Sequence, residues 1–340
     1  MPSTADQYRI IASGAGCLAR ADCGRLRFDG ADAASFLQAL LTNDVASWAA
    51  GSPPLTTGGS TALTAGGSLY SAWLTPQGRM ITDLRLYRGS DYVLASVPAA
   101  LAGSLRDRFD QLIFAEDVRV TDVSSSMDHV TFVGAGAEAA ARSVAGASIV
   151  AQTDDLDLPT WDVLTHGAPD LQVRGISPDF FDALRIDAGR PAFGIDMTEE
   201  TIPLEAGLLD RAISTTKGCY VGQEIIIRVL HRGGGRVAKR LVKLECAAAV
   251  SAGGSVGRNG QEVGRVTSAA VSPTTGRPIA LGYVHRDHAD ELVLLVDHGN
   301  GKQVVGRHLP RDFFLIRVGT RSEEHTSELQ SRFGISYAVF

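Results

Sequence analysis

From Arg236 onward the chain is cut into short apolar runs by closely spaced glycines: "RVAKRLVKLECAA", "GGSVGRNGQEVGRVTSAAVSP" and "RPIALGYVHRD". Runs of this length, rich in Val, Leu and Ile and bounded by Gly, Asn and Pro, make strands joined by turns and are too short for helices that bury a face. The segment therefore reads as a small all-β unit, with "HRGGGR" at 231–236 as the hinge before it.

The preceding part has a different texture. "RLRFDGADAASFLQALLTNDV" predicts a strand, a turn at Asp29-Gly30 and a helix with Phe36, Leu37, Leu40 and Leu41 on one face. Glycine, serine and threonine dominate 51–68, which reads as a flexible surface loop. "YSAWLTPQGRMITDLRLYR" then predicts two strands around a turn at Pro76-Gln77-Gly78, "DYVLASVP" adds a third, and "AALAGSLRDRFDQLIF" has helical periodicity. Strands and helices mix without a strict βαβ rhythm, so the expected class is α+β. A chain of 340 residues exceeds what one core usually serves. We expect an α+β module over 1–235, which can comprise two interleaved subdomains, and a β unit over 236–320.

The last twenty residues break with both textures. Arg321 to Ser331 reproduces, residue for residue, the translation of a common sequencing-library adapter, so 321–340 is read as an assembly artefact outside the fold. Dropping it moves the net charge only from −6 to −5, and neither value gives an electrostatic reason for direct nucleic-acid binding. No run nears the ~20 apolar residues that span a bilayer. The opening "MPSTADQYRI" lacks a secretion layout, and Asp6 with one early arginine argues against a mitochondrial presequence, so the expected compartment is the cytoplasm. Cys17, Cys23, Cys219 and Cys246 are too few and scattered for a disulfide framework, and none forms a Cys-x-x-Cys pair, so no resident metal is expected.

Two motifs carry chemistry. "VTFVGAGAEAAA" resembles a strand feeding a Gly-x-Gly-x-x-Ala turn, with Gly134 and Gly136 placed to meet a dinucleotide pyrophosphate and Asp154 or Asp155 near the distance for a ribose contact. Against this, the turn lies in mid-chain without repeated βα units, and its glycines equally permit close packing. "KGCYVGQE" sets Cys219 two residues after Lys217, between Gly218 and Gly222. If Gln223 to Val229 is helical, Cys219 precedes its N-terminus, and both features favour a thiolate; three successive isoleucines suit a strand as well. A small residue packed in a turn is the plain alternative.

The pattern Lys217-Gly218-Cys219-Tyr220-x-Gly222-Gln223-Glu224-x-x-x-Arg228 resembles the signature of the YgfZ-type folate-binding proteins, relatives of the glycine-cleavage T-protein, an aminomethyltransferase. "FLQALLTNDV", "WLTPQGRMITDLRLYR", "LRIDAGRPAFGID" and "PLEAGLLDRAISTTKGCY" resemble further segments of that family, and "VGRVTSAAVSPTTGRPIALGYV" resembles the C-terminal barrel shared with the T-protein. The resemblance implies a T-protein-like α+β fold ending in a small β-barrel. It also implies a cytoplasmic, monomeric protein that binds tetrahydrofolate or a one-carbon derivative in a central cleft. Such a protein supports iron–sulfur cluster assembly or repair in client enzymes, including tRNA-modifying ones.

In this reading Cys219, activated by Lys217, stands near the cleft. Asp187, one methylene shorter than the family's glutamate, meets the pterin edge, and Asp83 matches an aspartate that acts on the folate during aminomethyl transfer. Asp83 as a strand-end partner of Arg79 or Arg85 is the plain alternative. Asn43, with Asp44, lines the same pocket or caps the preceding helix; Gln223 and Glu224 belong with the folate contacts; and Arg228, Arg232 and Arg236 are candidates for the glutamate tail by charge. A single cysteine cannot hold a cluster, so any such contact is shared with a partner. The alternatives are an aminomethyltransferase proper, a scaffold without ligand, and a dinucleotide oxidoreductase.

Overall fold

In a computed structural model the described residues are 3–50, 64–65, 67–232, 236–299 and 302–309. The adapter-like tail, the glycines at 233–235 of the expected hinge and most of the 51–68 loop lie outside them. Thr64–Ala65 is a short strand paired in parallel with Ala147–Thr153, and Ser68 donates its hydroxyl to the Gln152 carbonyl, so the end of that loop is part of a sheet.

The architecture is α+β, as the mixed pattern predicts. A five-stranded antiparallel sheet runs in the order Leu69–Leu74, Met80–Arg88, Tyr92–Pro98, Cys23–Asp29, Arg119–Asp122. The hairpin turns where Pro76-Gln77-Gly78 predicts. One face of this sheet is sealed by the helices Ala33–Leu40 and Ala102–Asp110: Phe36, Leu37, Leu105 and Phe109 pack on Phe28, Leu84 and Leu86, and the Phe109 ring stacks on Trp73 at 4.0 Å.

A six-stranded sheet has the order Arg174–Gly175, Gly16–Ala19, Asp128–Val133, Thr160–Thr165, Ala147–Thr153, Thr64–Ala65. Its inner face meets the first sheet through Tyr87 and Leu94 against Ile149, Ala151 and Leu164. Strands alternate their side chains, so in Met80–Arg88 the residues Leu84 and Leu86 face the helices while Asp83, Arg85 and Tyr87 face the other way.

The glycine-punctuated segment closes into a six-stranded barrel, Lys239–Cys246, Pro278–His285, Gln261–Val271, Ser255–Arg258, Val293–Gly299, Lys302–His308. Val242, Leu244, Val256, Val266, Val284 and Val296 fill it. Closure removes the unpaired edges that such short strands would otherwise expose. The helix Pro178–Asp187 is tied to the barrel. Arg185 donates to Asp196 and, at 2.9 Å, to the Ser268 hydroxyl, while Ile186 packs on Ile279 and Leu281. No helix among the described residues is long and apolar enough to cross a membrane.

The glycine turn at 134–136 does not fit the dinucleotide reading. Gly134 has φ +117°, and a Cβ there would lie 2.3 Å from the Ile11 carbonyl oxygen. The backbone N–H groups of Gly134, Ala135 and Gly136 donate to the carbonyls of Pro159, Ile11 and Gly14. The turn is thus used to pack the end of the helix Thr4–Ser13, and these donors are already committed. The strand before it pairs antiparallel on both sides, not within parallel βαβ units.

Candidate functional site

A cleft of about 500 Å³ opens between the two sheets beneath the helix Pro178–Asp187. This volume lies within the range of small-molecule sites. Its floor is the polar face of Met80–Arg88. Asp83 lines the cleft and accepts a 2.7 Å hydrogen bond from the Tyr70 hydroxyl. Burial raises its pKa above the ordinary carboxylate value and Asp155 adds to this, while the Tyr70 hydroxyl and Arg211 pull the other way. A carboxyl so placed keeps its proton to higher pH than an exposed one.

Two guanidinium groups flank the Tyr70 ring, Arg211 at 4.7 Å and Arg85 at 5.3 Å from its centroid. Arg85 donates to Asp154 at 2.6 Å and to Asp155, and Arg211 holds the other Asp154 oxygen at 2.7 Å. These arginines keep the Asp154 carboxyl far below its usual range against the opposing effect of burial. Asp154 and Asp155 are therefore bound to arginine, and not poised for a ribose. Arg85 is committed to them, and Arg79 pairs with Glu200, so neither arginine neutralises Asp83, which sits in mid-strand. Phe181, Phe193, Arg185 and Arg190 complete the opposite wall.

Comparison with known proteins bears on this arrangement. The family model described as the glycine cleavage T-protein C-terminal barrel domain matches residues 239–314. The chain is 28% identical to an aminomethyltransferase of Thermosynechococcus vestitus, over 73% of this chain and 75% of that one. It is 27% identical to an aminomethyltransferase of Rubrobacter xylanophilus, over 91% and 85%. The crystal structure of glycine cleavage system aminomethyltransferase T from Bartonella henselae superposes with a TM-score of 0.75 at 18% identity, covering 92% of this chain and 89% of that one. The fold is T-protein-like. The chain's α+β fold and closed six-stranded C-terminal barrel are those of the T-protein.

Of the site residues that the family resemblance implies, Asp83 lines the cleft, as do Arg85 and Asp155, which the sequence named in other roles. Asp187 is on the cleft helix but points away from it. It is not among the residues that line the cleft, and its carboxylate is turned to the barrel. There Lys243 holds one Asp187 oxygen at 2.7 Å and the Ser272 hydroxyl the other at 2.5 Å, so neither oxygen is presented to a pterin. Asn43 neither lines the cleft nor caps the preceding helix. Its amide nitrogen donates to the carbonyls of Tyr70 and Arg211, clamping two cleft residues from behind, and Asp44 instead caps the helix Val45–Ala50 through Ser47.

Lys217 is buried and turned away from Cys219. Its ammonium donates to the carbonyls of Gln38, Leu41 and Asn43 at 2.6, 2.6 and 3.0 Å, closing the end of the helix Ala33–Leu40. Burial works against this ammonium, toward a pKa of about 8, with Asp44 opposing. The three carbonyls hold its proton in place. Tyr220 is likewise buried, in a cluster with Tyr70 and Ile226, whereas Cys219 is exposed and outside the cleft. Of the two glycines only Gly222 has positive φ, +85°, and a Cβ on it would lie 2.5 Å from the Thr75 carbonyl oxygen; a Cβ on Gly218 would meet nothing. Gln223–Ile227 is a short helix, as one of the two readings expects, with Glu224 and Arg228 paired on the surface. Neither they nor Gln223 nor the exposed Arg236 lines the cleft, and the Arg232 side chain lies outside the description.

The cleft is lined by Arg20, Arg85, Arg185, Arg190 and Arg211, and by His129. Sequence reasoning named Arg85 only as a partner of Asp83 and missed the others and Tyr70. The available signal was alternation: "DLRLY" puts Asp83, Arg85 and Tyr87 on one face.

Proposed function

We propose that this T-protein-like chain binds tetrahydrofolate or a one-carbon derivative in the cleft and transfers an aminomethyl group, with Asp83 as the acid or base. The observation that carries this reading is the cleft-lining Asp83 carboxyl, raised in pKa by burial and held by the Tyr70 hydroxyl. The lining suits the ligand's rings: Phe181 and Phe193 offer apolar faces to them. Tetrahydrofolate, when bound, supplies amine nitrogens that accept a one-carbon unit. Asp83 then holds or moves the proton, Tyr70 fixes which oxygen does so, and Arg211 keeps Tyr70 in place. The likeness to aminomethyltransferases over most of the chain supports this reading.

The test is calorimetric titration of tetrahydrofolate without oxygen, with turnover of an aminomethyl-lipoyl carrier protein. Wild type should bind and turn over. Asp83→Asn should bind but lose about 10²- to 10⁴-fold in rate, the usual worth of a general acid or base. A wild type that binds no tetrahydrofolate refutes the reading.

Exposed Cys219 favours a second reading, the YgfZ-type one. The thiol is carried on a loop anchored by buried Lys217 and Tyr220, a placement suited to meeting an iron–sulfur client or assembly protein and not a cleft ligand. This role, in a cytoplasmic monomer, predicts that Cys219→Ala lowers the activity of iron–sulfur enzymes in cells without altering folate binding. Unchanged enzyme activities would exclude it.

A further inference from the structure

The same cleft holds a second cluster that aminomethyl transfer does not use. Cys23, His129, Arg20 and Asp22 line it, and Tyr87 of the strand Met80–Arg88 reaches it. Asp83 and Tyr87 are four residues apart on that strand, about 13 Å at 3.3 Å per residue. The cluster is therefore remote from the Asp83 carboxyl but open to the same space.

His129 is its centre. The side chain is 1% exposed, neither ring nitrogen makes a hydrogen bond among the described residues, and Nε2 lies 3.3 Å from Asp162 Oδ1. Asp162 pairs in register with Thr131, two residues from His129 on the adjacent strand, so both side chains point to the same face. The Tyr87 hydroxyl at 2.6 Å and the Thr131 hydroxyl at 2.5 Å fix its carboxylate. Burial by itself would push the imidazole pKa down. The neighbouring Asp162 carboxylate, and then the Cys23 sulfur, reverse this and raise it to about 9. The turn at residues 20–23 is laid over His129, since Arg20 N–H donates to the His129 carbonyl and Cys23 N–H to that of Arg20.

Cationic groups around the thiol outnumber anionic ones. Arg20, Arg25 through the Cys23 carbonyl, and His129 face Asp22 and Asp162. Asp22, 3.6 Å from the sulfur, is itself held by two Arg20 nitrogens at 3.0 and 2.8 Å.

We propose that Cys23, His129 and Asp162 form a second chemical centre in the cleft, in which the Cys23 sulfur is a nucleophile toward a small saturated carbon that bears a leaving group. The arrangement is nucleophile, imidazole and orienting carboxylate, each reached from a different strand. Sulfur forms a bond to carbon as the bond from carbon to the leaving group breaks with its electron pair. His129, already an imidazolium at neutral pH, gives its proton to the departing group and takes up the one the thiol releases, Asp162 keeps its charge throughout, and no oxidant or reductant is needed. Cys23 is half-buried and so is reached only by what enters the cleft, whereas Cys219 is open to solvent.

The probe is iodoacetamide at neutral pH on the intact protein, with each cysteine followed by peptide mass mapping. Cys23 should alkylate about tenfold faster than exposed Cys219, because reactivity follows the thiol's surroundings more than its exposure. His129→Asn should slow Cys23 by about tenfold and leave Cys219 unchanged, which also reports that the variant is folded. Asp83→Asn should leave the Cys23 rate as in wild type, separating this centre from the aminomethyl-transfer reading. A wild-type Cys23 slower than Cys219, a test that needs no variant, overturns the proposal. So does an unaltered Cys23 rate in folded His129→Asn.

Discussion

Replacing Lys217 by Met tests what the lysine of the cysteine motif is for. In the structure its ammonium satisfies three carbonyls, those of Gln38, Leu41 and Asn43, at the end of the helix Ala33–Leu40, and it lies 8% exposed. Methionine keeps the apolar stem but leaves those oxygens without their donor. At the low end of the range for bonds to a charged group, about 1.5 kcal/mol each, the loss is about 4.5 kcal/mol. Relief of the buried charge returns part of it, since taking an ammonium out of water is itself costly. A net destabilisation of about 3 kcal/mol is expected. For roughly 300 residues the unfolding entropy is about 0.6 kcal/mol per degree, so Tm should fall by about 5 °C. Differential scanning calorimetry with urea melts measures this, and iodoacetamide labelling of Cys219 should be unchanged. A variant that melts within a degree of wild type but has altered Cys219 reactivity would show that the lysine acts on the thiol, and the capping argument would fail.

Asp187→Ala leaves Lys243 without its carboxylate at a buried site, so it should cost about 3 kcal/mol in urea melts. Tetrahydrofolate affinity should stay as in wild type, and a loss of affinity at unchanged stability would put Asp187 in the cleft. Gly222→Ala should cost about 2 kcal/mol from positive φ alone, with more from the approach to Thr75, while Gly218→Ala should be within about 0.5 kcal/mol of wild type; equal melting points for the two variants would refute this. The His129 imidazole has a folded pKa of about 9 against 6.5 unfolded, so its contribution to stability is fully present below 6.5 and lost as pH rises through 9. Urea midpoints should decline across that window in wild type, and this decline should be absent in His129→Asn. Tyr70→Phe removes a hydrogen bond that lowers the Asp83 pKa, so the acid limb of the kcat/KM profile should move to higher pH; a shift to lower pH contradicts the role given to Tyr70.

Much of this chain is dictated by short-range pattern. Glycine spacing beyond Arg236 marks the strands that close into the barrel, the Pro76-Gln77-Gly78 turn marks the hairpin, and apolar periodicity marks the helices ending near Leu40 and Asp110. Alternation in the strand Met80–Arg88 even sorts Asp83, Arg85 and Tyr87 onto one face. Pattern does not say which side of a turn will be buried, because that depends on what packs there from elsewhere. Lys217 and Tyr220 turn inward because the end of a helix 176 residues away and the Tyr70 cluster receive them, and Cys219 between them is left in solvent. Asp187 faces away from the cleft because Lys243 and Ser272 of the barrel side are there to bind it. Cys23, His129 and Asp162 share no local signal and meet only because the strands of His129 and Asp162 are neighbours in one sheet and the turn that leads into the Cys23 strand of the other sheet is laid over His129. Local sequence sets the backbone's period; the environment of each side chain is set by residues far along the chain, and only the assembled sheets, helices and barrel bring these together.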